Sequence, residues 1–168
     1  MKSSTEIGEA QARAMRVYER RPDKALSSMS IDARIEGGLA CTITDGTREV
    51  IVDMPEPVGG DSMGPTPGFH ARAAVAGCVA IGIKMTAARE GIELKSVNVN
   101  VGMDFDDSAV FAMGENTAAP LKTIISIDLE SDTGEAELQA MVDRALASDT
   151  YFLALRDPQV VETRLKVV

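Results

Sequence analysis

The stretch AAVAGCVAIGI, Ala73 to Ile83, constrains the chain more than any other part of it. It lies inside a segment from about Phe69 to Arg89 that reads as one helix, with a basic-rich last turn and Gly91 placed to cap its end. Between Ala73 and Ile83 that helix is apolar on every side. A helix of this kind must be surrounded by protein, and a small sheet covers only one of its faces. The economical solution is a second subunit. Gly77 and Gly82 point the same way. Each costs about 1 kcal/mol relative to Ala in a helix interior, a cost that is explicable where another backbone approaches closely. The stretch is too short to cross a bilayer, and the N-terminal MKSSTEIGEAQARAMRVYERR has no apolar run suited to a signal peptide. A cytoplasmic chain with no membrane partner is expected.

The flanking sequence supplies sheet and further helices. Ser3 and Glu6 fit a capping box ahead of an amphipathic helix at about residues 5–21, stopped before Pro22. Residues 30–44 alternate in hydrophobicity on either side of Gly37-Gly38, and Asp45-Gly46 is a turn leading into Glu49 to Asp53, so a small antiparallel sheet is predicted there. PEPVGGDSMGPTPG, residues 55–68, has four prolines and four glycines, which exclude regular structure and make it a long loop of the sort that borders sites. Val97 to Met103 and Leu121 to Leu129 alternate as half-buried antiparallel strands. Asp132 and Glu135 open a helix with Leu138, Met141, Val142, Ala145 and Leu146 inward. Ser148 or Asp149 caps a short one containing Tyr151, Phe152 and Leu155, and Val161 to Val167 closes as a strand. Grouped strands and helices of this order argue for an α+β fold, one domain over residues 1–168 with an extra helix in front.

The net charge of −9 is concentrated late: residues 101–168 carry 5 basic against 13 acidic side chains, which repel phosphate backbones. With no Trp and two Tyr, stacking platforms are scarce, and nucleic acid is not an expected partner. No GxGxxG, GxxxxGK, HExxH or GxSxG is present, so neither a cofactor nor a metal is called for. Asp104, Asp106 and Asp107 lack the Gly and distal Glu of a calcium loop and read as a solvated acidic turn.

Two cysteines remain. Cys41 alternates with Leu39 and Ile43 onto one strand face, which makes it core. Cys78 lies mid-helix among Ala, Gly and Val, where a thiol is a small inert hydrophobe unless its surroundings make it otherwise. His70 and Arg72 precede it by eight and six residues, about 12 and 9 Å of axial rise, too far to activate it within one chain. A bond between Cys41 and Cys78 is left open by the sequence.

The segment ARIEGGLACTITDGTREVIVDMPEPVGGDSMGPTPGFHARAAVAGCVAIGIKMTAAREGIELKSVNVNV resembles the OsmC/Ohr family of thiol proteins, through its DG hairpin, its GPTP opening a long helix with AGC inside, and its AAREGIEL before an alternating strand. The similarity extends over about residues 25–167. It implies an intertwined homodimer of antiparallel sheets, with the long central helices packed between subunits. It also implies peroxidase chemistry, in which a helix cysteine attacks an organic hydroperoxide and becomes a sulfenic acid. Cys78 matches that position. The family's second cysteine has no counterpart in ALASDTY, residues 145–151, so the implied enzyme is of one-cysteine type and relies on an external thiol reductant. The family's acidic residue is replaced in the neighbourhood of Gly68, Phe69 and His70, of which Phe69 and His70 are candidates for substrate contact. For the activating arginine both Arg34 and Arg48 stand open. The alternative is a non-catalytic dimer holding a small apolar or acyl ligand in a cleft between loop 55–68 and the central helix.

Overall fold

A computed structural model describes residues 1–167. Its elements are, in order, α1 (Ser4–Arg20), β1 (Asp32–Arg34), β2 (Cys41–Thr44), β3 (Glu49–Val52), α2 (Pro67–Glu90), β4 (Ser96–Asp104), β5 (Lys122–Glu130), α3 (Glu135–Leu146) and α4 (Thr150–Arg156). Their contacts divide the chain into two compact units. The first is Gly8–Ala74; the second joins Met1–Ile7 to the chain from Val75 onward.

In the first unit β1, β2 and β3 form an antiparallel sheet in that order, with Ala33 opposite Ile43 and Ile43 opposite Val50. The Asp45-Gly46 turn forms as predicted, because the Asp45 carboxylate accepts the backbone N–H groups of Thr47 and Arg48. Behind β3 the chain is organised by Asp53, which is fully buried. Its two oxygens accept the N–H groups of Met54 at 2.7 Å and of Asp61 and Met63 at 3.1 Å each. Loop 55–68 is therefore more regular than its composition suggests. It contains a 3-10 turn over Glu56–Val58 and folds so tightly that a Cβ at Gly60 would lie 1.8 Å from the Met54 carbonyl oxygen, and one at Gly64 2.1 Å from that of Ile51. No side chain fits at either position.

The same bonds make the loop sensitive to acid. The Met63 N–H, opposed by burial and aided by Met54 and Asp61, holds the Asp53 carboxyl below its usual range. A carboxyl lowered on folding contributes stability that is present above its unfolded pKa and is lost as pH falls through the folded one. The urea unfolding midpoint is expected to fall as pH drops below about 4, and Asp53→Asn is expected to lower the midpoint at neutral pH and flatten that acid limb.

The second unit is built on the β4–β5 hairpin, where Val97, Val99 and Val101 lie opposite Leu129, Ile127 and Ile125. Exposure alternates residue by residue along both strands, as the period-two pattern predicts. The inward faces pack against Val75, Val79, Ile83 and Ala87 of α2 and Met141, Val142 and Ala145 of α3. The α2 residues recur every four positions and so form one stripe along the helix. Arg144 closes α3 onto the end of α2 by a fork to Glu90 at 2.8 and 2.7 Å, which holds the Glu90 carboxyl below its usual range.

Several expectations are corrected. α2 starts at Pro67 instead of Phe69, because Pro presets the first helical φ and Thr66 caps the turn by accepting the Phe69 N–H. As the sequence reading expects of a helix that one small sheet cannot surround, it is left uncovered on one face within this chain: Ile81 is 62% and Met85 39% exposed on the face away from the stripe. Among the described residues nothing outside α2 lies within 4 Å of a Cβ built on Gly77, so no approach from within this chain accounts for that glycine. By length and composition the 24-residue helix could cross a membrane, which the shorter stretch read from the sequence could not; one of its faces belongs to the core. Gly134, not Asp132, caps α3, and Asp132 pairs with Lys95. Leu121 precedes β5 and is exposed. The predicted last strand, Val161 to Val167, does not form: a strand needs a ladder partner, and this segment joins neither sheet, leaving Val161 82% and Leu165 92% exposed.

Candidate functional site

Cys78 lies beside the buried stripe of α2. Steps of three and four residues carry its face on through Ile81, Gly82, Met85 and Thr86 to Arg89, eleven residues and about 16 Å along the axis. These residues form one wall of an open groove of about 300 Å³. The opposite wall is Ala145, Ser148, Asp149 and Thr150, where α3 gives way to α4.

Asp149 joins the two walls. One of its oxygens accepts the Phe152 N–H at 2.8 Å, which caps α4 as predicted. The other lies where a Cβ at Gly82 would be 3.1 Å away. Gly82 therefore admits a buried carboxylate to the helix surface, so within this chain the close neighbour of this glycine is a side chain. Deeper in the groove the buried Thr86 hydroxyl accepts a hydrogen bond from the Arg89 guanidinium at 2.8 Å. The groove thus brings a thiol, a carboxylate, a hydroxyl and a guanidinium together beside the apolar Ile81 and Met85. Cys78 is a free thiol, half-buried, and lines this groove.

Asp149 is legible in the sequence as a cap, but not as a groove residue. Arg89 was missed, although its eleven-residue spacing from Cys78, three helical turns, puts it on the same face. The two arginines considered for the thiol lie in the first unit, are largely exposed and pair locally: Arg34 with Glu36 at 2.6 Å and Arg48 with Asp45 at 3.7 Å.

His70 and Cys78 line different cavities. In the first unit His70 and Pro67, from the first turn of α2, face Cys41, Ile43, Val52 and Leu39 across a cavity of about 480 Å³. His70 Nε2 is buried and has no hydrogen-bonding partner among the described residues. Phe69 is 51% exposed and meets the His70 ring edge-on at 5.6 Å without lining that cavity. Cys41, expected in the core, is half-buried in the cavity wall, and like Cys78 it forms no disulfide. Asp106, from the acidic turn, accepts the Ser108 N–H and hydroxyl and the Asn116 amide, so its oxygens are engaged in closing the β4–β5 connection.

Antiparallel sheet packed on a long helix, with a free cysteine lining an open groove of that helix, defines the α+β class to which this chain belongs. The chain belongs to the OsmC-like protein family, whose model matches residues 59–164, more than half of its length. Among curated protein sequences none matches it. Its fold is shared with the OsmC-like protein of Mycoplasma pneumoniae, 14% identical, with a TM-score of 0.65 over 77% of this chain and 88% of that one. The organic hydroperoxide resistance protein OsmC of Legionella pneumophila is 21% identical, with a TM-score of 0.54 over 78% and 90% of the two chains. The organic hydroperoxide resistance protein OhrB of Bacillus subtilis is 22% identical, with a TM-score of 0.51 over 77% and 91%. At these identities the likeness is one of fold.

Proposed function

We propose that the chain is a cytoplasmic thiol-dependent peroxidase that reduces organic hydroperoxides through Cys78 and acts as a homodimer. The observation that carries the reading is the placement of a free, half-buried sulfur in an open groove with apolar and polar walls. The Cys78 thiolate attacks the outer peroxide oxygen, an S–O bond forms as the O–O bond breaks, and the alkoxide takes up a proton and leaves as the alcohol. The resulting sulfenic acid condenses with one external thiol, releasing water. A second external thiol then restores Cys78 and departs as a disulfide. The segment 145–151, where the resemblance to the family would place a second cysteine, has none and contributes Asp149 to the groove instead, and this supports the one-cysteine route.

Two features support the homodimer. Ile81 and Met85 leave an apolar face of α2 uncovered, and the segment from Val161 to Val167 keeps a strand's alternation without a ladder. A second copy would cover the first and pair with the second.

One observation favours the non-catalytic alternative. Ile81 and Met85 give the groove an apolar wall suited to an acyl chain, and the opposite wall carries Asp149 where a second thiol would complete a redox pair. On that reading the groove holds a small apolar or acyl ligand without turnover. Consumption of cumene hydroperoxide in the presence of dithiothreitol separates the two. The peroxidase reading expects turnover by the wild type, its retention in Cys41→Ser and its loss in Cys78→Ser. Wild-type protein without turnover that still binds an acyl probe supports the alternative.

A further inference from the structure

We propose that the small thiol exchanging with Cys78 is an amino-thiol, whose ammonium group is held by Asp149. The inference deepens the proposed function, since it rests on exchange between Cys78 and an external thiol. Three groups recur at four-residue steps along the groove face of α2: the Cys78 thiol, the Asp149 carboxylate lying over Gly82, and the Arg89 guanidinium bonded to Thr86. Each step is about 6 Å of axial rise. A ligand joined to the sulfur therefore meets the carboxylate one turn away and the guanidinium two turns away.

Asp149 is only 4% exposed, yet half of its bonding capacity is unused. Oδ1 accepts the Phe152 N–H at 2.8 Å, and Oδ2 accepts no hydrogen bond among the described residues. Nor is Oδ2 sealed off: the one wholly enclosed side-chain oxygen or nitrogen left without a partner among those residues is His70 Nε2. Oδ2 thus keeps surface beside Gly82, and both residues line the groove. A carboxylate oxygen bonds a charged donor more strongly than a neutral one, and it repels a second carboxylate. An ammonium group therefore suits it best. Arg89 sets the far limit, because a cation on a longer chain would run toward the guanidinium. A two-carbon spacer between sulfur and nitrogen keeps the ligand within the first turn. In the one-cysteine route the amino-thiol sulfur bonds to the Cys78 sulfur as the S–O bond of the sulfenic acid breaks, and the hydroxyl leaves as water with the thiol's proton. A second amino-thiol attacks the first one's sulfur, Cys78 leaves and takes up that thiol's proton, and the symmetric disulfide departs.

The test runs the last step in reverse, without peroxide. Full-length protein carrying Cys41→Ser is mixed with cystamine, hydroxyethyl disulfide or dithiodipropionate, and formation of the mixed disulfide on Cys78 is timed by mass spectrometry. Each rate is divided by that of the same protein unfolded in urea, which removes the reagent's intrinsic reactivity. Cystamine is expected to lead hydroxyethyl disulfide by at least about tenfold, with dithiodipropionate slower still. Asp149→Asn keeps a side-chain oxygen for the Phe152 N–H and is expected to cut that lead to below about threefold. Equal rates overturn the proposal, as does a Cys78 that exchanges with none of the reagents. A lead that survives in Asp149→Asn also overturns it, since it then comes from the net charge of −9. So does a lead that vanishes in about 1 M salt, where diffuse charge is screened and a contact in a buried wall is not. The salt comparison needs no Asp149 variant, so it decides the matter even if that variant does not fold. Equal rates beside a sulfenic acid trapped on Cys78 remove the amino-thiol and leave the peroxidase; a cystamine lead in protein without hydroperoxide turnover does the reverse.

Discussion

Shortening Ile83 to Ala is expected to lower the free energy of unfolding by about 2–5 kcal/mol, the range for removing a wholly buried branched side chain from a packed core. Ile83 has no exposed surface and sits in the cluster with Val79, Ala87 and Met141, against the inward faces of β4 and β5. Most of its side chain would be replaced by a void, and neighbours held by a sheet and two helices relax only partly to fill it. Against a total stability of about 5–15 kcal/mol for a typical domain, the loss is large. Ile81, two residues earlier, supplies the control. It is 62% exposed, and its truncation removes little packing from the single chain. Urea denaturation followed by circular dichroism checks both: the Ile83→Ala midpoint drops well below that of the parent, and the Ile81→Ala midpoint stays close to it. Equal midpoints would contradict the orientation of α2.

Ile81→Lys carries the second large effect, on self-association. In the single chain a lysine at this exposed position reaches water along its own stem and costs little. In the proposed dimer the same position meets the second copy, where an unpaired ammonium loses its hydration. Self-association is expected to weaken by at least about 100-fold, which corresponds to about 2.8 kcal/mol. Sedimentation equilibrium of wild-type protein and variant measures it. A wild type that is monomeric at micromolar concentration, or a variant that dimerises as tightly as the wild type, would remove this face from the proposed interface.

These contrasts show what local sequence carries and what it does not. The capping box at the start of α1 forms because both of its members lie within one turn: the Ser3 hydroxyl accepts the Glu6 N–H at 3.2 Å, and the Ser3 N–H donates to the Glu6 carboxylate at 2.7 Å. The Asp45-Gly46 turn and the alternation of β4 and β5 are legible for the same reason. The resemblance to OsmC-like proteins is likewise carried by contiguous motifs, and the family match agrees with it. The groove at Cys78 is different. Gly82 is visible as an anomaly in a helix, but its explanation, the Asp149 carboxylate, lies 67 positions away and meets it only once α3 and α4 are in place. His70 reads as an unremarkable residue near a helix start, and that its Nε2 is buried without a partner among the described residues shows only in the folded chain. The alternation of Val161 to Val167 shows a strand's pattern and says nothing of a partner edge, which this chain does not give it.

The central claim is that the Cys78 sulfur reacts with a peroxide, and direct trapping of its product tests this. Protein treated with one equivalent of cumene hydroperoxide in the presence of dimedone, which captures sulfenic acids, is digested and its cysteine peptides are weighed by mass spectrometry. The account predicts a dimedone adduct on the Cys78 peptide that requires the hydroperoxide and does not appear on Cys41. A Cys78 peptide left unmodified, or an adduct confined to Cys41, would contradict it.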